Sequence, residues 1–301
     1  MSICISIIIP FYNGEAYYKQ LLQSLKKAIV HTASKSIDFE IITIIDSVNT
    51  VEQDIRTVLE DAFSKVSHVR LILHKNEVNL GVAGSRNVGL SLAHGTHFHI
   101  IDQDDEVSEQ LYSFVRDALD KKDFILVNGL VYYTNTKFNP HRLFYLTPKL
   151  NAEHILTNEF IRSPGQIIFS RRILGQTRFP EPKLNKGTDD RFFWIKLFLN
   201  NSEIKTQYIN QPLYIAHIHD ENYSSDSLNL RKSSLENWDI LRRECDLSKY
   251  EKLIERNILS LRYSAGEQMA LKPKLRGLIN RSKYYLEPNK IIRYFFKRIK
   301  W

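Results

Sequence analysis

The sequence predicts an α/β protein: a mostly parallel sheet with helices on both faces, followed by a helical C-terminal region. Three observations carry that prediction. Runs such as Ile3–Ile9 and Phe39–Ile45 are almost entirely apolar and β-branched, as in strands covered on both faces. Segments of helical period separate these runs, the order that builds a parallel sheet. The strand-like runs also end at Pro10, Asp46 and Asp102, and open α/β sheets bind ligands beyond the carboxyl ends of their strands.

In chain order, the first run closes at Pro10 and turns through Phe11-Tyr12-Asn13-Gly14. A helix follows, with Leu21, Leu22, Leu25 and Ile29 on its apolar face. Phe39–Ile45 is the second strand, and a helix follows around Ile55–Phe63. Val69–Leu73 is a third strand, and Asn76–Gly81 leads into a helix over Val82–Leu92. Thr96–Ile101 is the fourth strand. It stops abruptly in Asp102-Gln103-Asp104-Asp105-Glu106, and Ser108 is expected to cap the next helix, at 109–120. Phe124–Tyr133 reads as a further strand.

From 134 to 188 proline and glycine punctuate short apolar pieces, including Ile167–Phe169, and loops of this kind build binding surfaces. Asp189–Leu199 is a helix with Phe193, Leu197 and Trp194 as its packing face, and Ile204–Ile209 and Leu213–Ile218 are two candidate strands. Beyond about 225 the pattern becomes helical, over Leu228–Glu244 and Leu247–Leu271. The expected organisation is a catalytic domain over 1–225 and a helical region over 226–301.

The 301 residues, 43% of them hydrophobic, suffice for one large core. Cys4 and Cys245 are the only cysteines and make no disulfide framework or metal-ligand pattern, which points to a reducing compartment. The first apolar run lacks a basic leader, and no apolar run reaches about 18 residues, so neither a signal peptide nor a membrane span is expected. A cytoplasmic location follows from these readings. The net charge of +8 is not spread over the chain: 272–301 hold ten Lys/Arg against the single acid Glu287, while 1–271 hold 32 basic and 33 acidic residues. With no other basic patch or aromatic platform, nucleic acid is not an expected partner.

Four constellations can carry chemistry. Asp102 and Asp104, two apart, fall on one side of an extended backbone and can chelate Mg²⁺ or Mn²⁺ through carboxylate oxygens, while Asp46 can accept hydrogen bonds from a ribose or base. Such a metal neutralises a diphosphate and stabilises a departing phosphate. Taken alone, D-x-D-D reads equally as a solvated acidic turn. Asn79–Gly89 places the small residues Ala83, Gly84 and Ser85 at a helix start beside the donors Arg86 and Asn87. It lacks the Gly-Lys-Ser/Thr of a phosphate loop and reads also as tight helix–sheet packing. In Gly187-Thr188-Asp189-Asp190, one acid can serve as general base toward a hydroxyl; both also suit ordinary helix capping. His217 and His219 lie on one side of a strand as candidate metal ligands, or as hydrogen-bonding surface residues.

These segments, in this order, resemble the inverting family 2 glycosyltransferases of GT-A fold, of the bacterial surface-glycan type. Pro10-Phe11-Tyr12-Asn13 is similar to that family's P-x-Y/F-N turn, and Asn79-x-Gly81-x-x-x-x-Arg86-Asn87-x-Gly89 to its most recognisable segment. Asp102-Gln103-Asp104-Asp105 corresponds to its metal motif, and Asp189-Asp190 to the acid pair whose second member is the catalytic base. One departure is that the usual doubled aspartate at the second strand is here Ile45-Asp46. The resemblance covers about residues 3–220.

It implies a GT-A, Rossmann-like fold and a nucleotide-sugar donor, most commonly UDP-linked. It implies donor binding by Pro10, Tyr12, Asn13, Asp46, Asn79, Gly81, Arg86, Asn87 and Asp102. A metal would be held by Asp104 and Asp102 with His217 or His219, and Asp190 would act as base toward a glycan or lipid-linked acceptor. Two other readings remain in view: a nucleotidyltransferase on a similar sheet, and a non-catalytic glycan-binding module. The first wants a glycine-rich basic loop where Phe11-Tyr12-Asn13-Gly14-Glu15 stands; the second has no use for Asp102, Asp104 and Asp190.

In the tail, Pro288 can open a helix whose Ile291, Ile292, Phe295, Phe296 and Ile299 form one apolar stripe flanked by basic residues. That pattern suits an anionic membrane interface, hence peripheral attachment to the inner face of the cell membrane. It suits equally a docking face on the same domain or on a second copy in a homo-oligomer.

Overall fold

A computed structural model describes residues 3–32, 37–133, 140–143, 147–157, 161–181, 187–218 and 227–264. One mixed sheet runs through it in the order β3-β2-β1-β4-β8-β6-β9-β5, with β7 pairing off β6. Its first half is parallel throughout: β1 (Ile3–Phe11) pairs with β2 (Ile37–Ile45) and β4 (His97–Ile100), and β2 pairs with β3 (Val69–Lys75). The connecting helices α1 (Glu15–Thr32), α2 (Glu52–Phe63) and α3 (Gly81–Leu92) cover its two faces.

The second half departs from a purely parallel sheet. β8 (Ile167–Ser170) runs antiparallel between β4 and β6 (Phe124–Tyr133), and β6 pairs in parallel with β9 (Thr206–Ile218). β5 (Glu106–Val107) and β7 (His141–Arg142) add antiparallel pairs at β9 and β6. The two strands expected over 204–218 are therefore one. A bulge absorbs Asn210 and Gln211 opposite Val127–Asn128, and Pro212 sits at that irregularity, where a missing N–H is tolerated.

The sheet curls. Although β5 lies at the far end of the strand order, α1, which covers β1, reaches it: Ser24 Oγ accepts from the Val107 N–H and Gln20 Nε2 donates to Glu106. Burial alternates along β1 as a doubly covered strand requires. Ile5, Ile7 and Ile9 face the core under α1, α2 and α4 (Leu111–Leu119), while Ile8 faces the core under α3. α3 lies close enough that a Cβ on Gly89 would stand 2.3 Å from Ile8 Cγ2, so a glycine is required there.

That second core also takes in α5 (Ala152–Thr157), α7 (Asp189–Leu199), α8 (Ser227–Glu244) and α9 (Glu251–Ser264), the short α6 (Arg171–Leu174) closing the strand end at β8. α7 is buried on nearly every side, from Phe192 through Phe198, and not on one stripe. Trp238, Leu241, Leu247, Ile254 and Ile258 of the helical region pack into the same core as the sheet. The expected boundary at 225 lies outside the described residues. Among the described residues no helix is long and apolar enough to cross a membrane.

Candidate active site

The ends of β1, β2, β3 and β4 converge. Pro10 is the penultimate residue of β1 and not, as expected, the residue that ends it. β4 has left the sheet by then, since Ile101 N–H donates to Ile8 O as its last bond to β1, so the missing Pro10 N–H costs no ladder bond. Tyr12 is 53% exposed at the rim. Asn13 takes a left-handed backbone (φ 46°), a conformation asparagine tolerates, and its Oδ1 accepts from Ser47 Oγ at 2.6 Å.

Gln103, a residue the sequence reading passed over, fastens the acidic turn to this loop. Its side-chain amide accepts from Tyr12 N–H and donates to Tyr12 O, both at 2.8 Å, as a neighbouring strand would. A Cβ at Gly14 would meet the Gln103 amide at 2.2 Å, which explains that glycine.

Asp46 is buried. Its Oδ1 accepts from Asn76 Nδ2 at 2.7 Å and from the Leu80 N–H at 2.8 Å, so it also ties the end of β2 to the loop before α3. Asn76 reaches Ser85 as well, at 3.2 Å. Asn79 Oδ1 accepts from the Gly81 N–H, and Gly81 has a positive φ of 73°.

The acidic segment is a turn, not the extended backbone expected for 102–105: Asp105 N–H donates back to Asp102 O. The extended alignment of Asp102 with Asp104 is therefore absent, and a turn, the other reading of D-x-D-D, forms instead. Asp105 is held away from solvent. Its Oδ2 accepts from the Tyr214 hydroxyl and from Ser163 Oγ, and its Oδ1 accepts from the His217 N–H at 3.0 Å. Burial first, then the charges of Asp104 and Asp102, push its pKa well above the ordinary carboxyl value. Ser108 is not the cap of α4, which starts after Gln110; Ser108 Oγ accepts from the Gln110 N–H instead.

Arg86 stands at the centre. From α3 it donates through Nη2 to Asp102 Oδ1 and through Nη1 to Asp189 Oδ2, both at 2.6 Å, with Phe179 stacked 5.3 Å away. Arg86 and Asp189 are buried and Asp102 is half-buried. Burial works against the guanidinium charge, and Asp102 and Asp189, with Asp190 behind them, more than offset it. Asn87, read as a donor toward ligand, spends its amide on the chain. It accepts from Phe179 N–H at 2.8 Å and donates to Phe179 O at 3.0 Å.

The two acids at the start of α7 therefore differ. Asp189 is the ion-pair partner, lifted by burial above its ordinary value although Arg86 lies against it. Asp190 takes the N–H of Arg191, and burial, then the Asp189 charge, push its pKa up to about 7 against a partial pull from Arg86. Nothing in the pair Asp189-Asp190 as a sequence distinguishes them; the contact with Arg86, across 103 positions, does.

His217 is turned toward Glu106, at 2.8 Å, and stacks on Tyr132. His219 lies outside the described residues. Among the described residues no group of three or more His, Cys, Asp or Glu is arranged to hold a metal. The turn still suits a hard cation in its donor chemistry: Asp102 and Asp104 offer carboxylate oxygens, and their charges add to the burial that raises the Asp105 pKa.

A parallel half continued by a mixed half, with acids gathered at the strand ends, is a GT-A-like architecture. The profile of glycosyl transferase family 2 matches residues 6–178, more than half of the chain, and the chain belongs to that family. The Bacillus subtilis glycosyltransferase EpsJ is 28% identical over 153 residues, covering 51% of this chain and 40% of EpsJ. The chain thus spans well under half of that relative. Streptococcus pneumoniae glycosyltransferase GlyG is 25% identical, with 71% of each chain aligned.

Among solved structures, Staphylococcus aureus TarS 1–349 in complex with UDP-GlcNAc superposes with a TM-score of 0.64 at 21% identity, covering 93% of this chain and 79% of that one. The mannosyltransferase PcManGT from Pyrobaculum calidifontis, in complex with GDP-Man and Mn²⁺, gives 0.54 at 14% identity, over 95% and 82%. At these identities the likeness is one of fold.

Proposed function

We propose that the chain is an inverting glycosyltransferase that moves a sugar from a nucleotide-diphosphate sugar, UDP-linked as in the TarS complex, to a hydroxyl of a glycan or lipid-linked acceptor. One observation carries the reading: a single buried guanidinium, Arg86, joins the acidic turn after β4 to the start of α7, where Asp190 has a pKa near 7. Donor-binding and proton-accepting groups are thereby adjacent but separate.

In this reading the nucleotide lies across the ends of β1 and β2, with Pro10, Tyr12, Asn13 and Asp46 at the base and ribose. Asn79, Gly81, Arg86 and Asn87 shape the floor, the last two chiefly by holding Asp102, Asp189 and Phe179 in place. Asp190 accepts the proton of the acceptor hydroxyl as its oxygen bonds to the anomeric carbon. The bond to the diphosphate breaks on the opposite face, so the configuration inverts. A base with a pKa near the working pH is partly ionised yet still basic enough to take the proton. Asp104, with Asp102, would hold Mg²⁺ or Mn²⁺, whose chemistry is to offset charge on the leaving diphosphate. His217 is engaged with Glu106, and the choice between His217 and His219 as a further ligand stays open.

The domain reading is a catalytic domain over 1–225 and a helical region over 226–301 that ends in a basic amphipathic tail. The basic stripe in 272–301, outside the described residues, supports peripheral binding to an anionic membrane on the cytoplasmic side. The test of the activity is Asp190→Asn, assayed with a panel of nucleotide sugars and Mn²⁺. Donor-induced thermal stabilisation persists while nucleotide release collapses, because the interaction lost is made only in the transition state. Near-native turnover would remove Asp190 from the role of base.

A further inference from the structure

The residue before the acid pair, Thr188, has a left-handed backbone, φ 66° and ψ −2°. This conformation is unfavourable for a β-branched residue and persists only where its surroundings enforce it. Thr188 is also where α7 begins: its carbonyl accepts the Phe192 N–H, so its conformation sets the direction in which Asp189 and Asp190 leave the loop. Its own side chain gives α7 no cap.

α8 packs against this turn with polar side chains. On one face of that helix, Ser234 Oγ donates to Thr188 Oγ1 at 3.3 Å and Asn237 Nδ2 donates to the same oxygen at 3.1 Å. Ser233 Oγ donates to the carbonyl of Gly187 at 3.2 Å. Ser233, Ser234 and Asn237 are all buried, at 0%, 3% and 0% exposure. Three polar side chains on a helix face otherwise made of Leu230, Trp238 and Leu241 are a costly way to pack two helices unless the bonds are used. Gly187 also has a positive φ, 79°, and a Cβ there would stand 2.9 Å from Leu230 Cδ1, so the loop is pressed onto α8. Trp238 meets Phe192 edge-on at 5.0 Å and anchors the same junction one turn further on.

We propose that Ser233, Ser234 and Asn237 of α8 are positioning residues for the proposed base: they clamp Gly187–Thr188 in the left-handed turn and thereby aim Asp190. This rests on the reading of Asp190 given above. It makes the helical region beyond 226 a working part of the active site, and it ties catalytic competence to the docking of α8.

The experiment compares full-length wild type, Ser234→Ala/Asn237→Ala, Thr188→Gly and the triple variant. Hydrogen–deuterium exchange over 187–193 needs no substrate: the double variant exchanges faster there, while β1 and β2 peptides are unchanged. With the nucleotide sugar that best stabilises the wild type, the double variant loses about 100-fold in kcat, the cost of misplacing a catalytic group by about an ångström, with KM for the donor unchanged. Glycine favours the left-handed conformation without help, so Thr188→Gly in the double-variant background returns most of the lost kcat, which simple repair of packing would not do.

Unchanged exchange over 187–193 with native kcat overturns the clamp. So does a joint loss of kcat and thermal stability that Thr188→Gly leaves untouched, since that marks packing alone. Asp190→Asn run beside these separates the two ideas: native turnover in that variant sinks the base, whereas the exchange result judges the clamp by itself.

Discussion

Replacing Arg86 with methionine tests the centre of the site most directly. The substitution keeps most of the side chain's length and apolar contact with Phe179 while removing the cation that stands 2.6 Å from both Asp102 and Asp189. Removing one partner of a buried pair leaves its counter-ion stranded, at a cost of about 3–5 kcal/mol. In a domain of this size about 1 kcal/mol moves the melting temperature by roughly 2–4 °C, so Arg86→Met should melt about 6–20 °C below wild type. The loss is electrostatic, so neutralising the stranded acid should undo part of it: Arg86→Met/Asp189→Asn should be more stable than Arg86→Met alone. Arg86 also pulls the Asp190 pKa down, so its removal should carry the acid limb of activity to higher pH. Circular-dichroism melts of the wild type and the two variants, with a pH–rate profile, measure all of this. A melting temperature within a degree or two of wild type, with no rescue by Asp189→Asn, would refute the argument that the guanidinium holds the two acids together.

Further outcomes follow from the same geometry. Burial and Asp189 raise the Asp190 pKa from 3.8 to about 7, so the carboxylate that accepts a proton appears as pH rises, and kcat should climb through a limb near 7. The same shift favours the native state fully below 3.8 and loses that contribution as pH rises toward 7. Asp190→Asn should therefore flatten the decline of stability over that window in urea titrations. Asp104→Ala should abolish the Mn²⁺-dependent part of donor-induced thermal stabilisation; an undiminished Mn²⁺ effect would exclude Asp104 as a ligand. Full-length protein should sediment with anionic liposomes and a truncation at 271 should not, the difference shrinking at high salt.

Much of the parallel half of the sheet is legible in the sequence. The β-branched runs that became β1 and β2 are buried on both faces, whereas β3, at the sheet edge, is only partly buried, and alternation with helices is a local signal with a local cause. Asp46, Asp102 and Asp104 could be placed because a strand end is visible as the point where apolar residues stop. Asp190 could be named only through resemblance. The unequal partnership of Asp189 and Asp190 was not legible, because what distinguishes them is a guanidinium 103 positions away, and pairwise distance is absent from a linear pattern.

The same reason explains the other revisions. Asn87 and Arg86 look like donors offered to a ligand, yet both are used largely within the fold, on Phe179 and on two aspartates. Gln103 looks like a spacer in the acidic segment, yet its amide bridges two loops 91 positions apart. β9 reads as two strands because Pro212 interrupts it, and only pairing with β6 shows that a bulge carries the strand through.

Periodicity and residue chemistry by themselves determined the layered α/β class, the edge of the sheet at which the candidate site residues gather and the kinds of group found there. Tertiary structure alone decided which acid is paired with Arg86 and which has its pKa pushed up to about 7, and which helix bonds to the Gly187–Thr188 loop before them. Those outcomes depend on burial and on charges meeting across the fold, and a side chain's desolvation and partners exist only once the chain has closed around it.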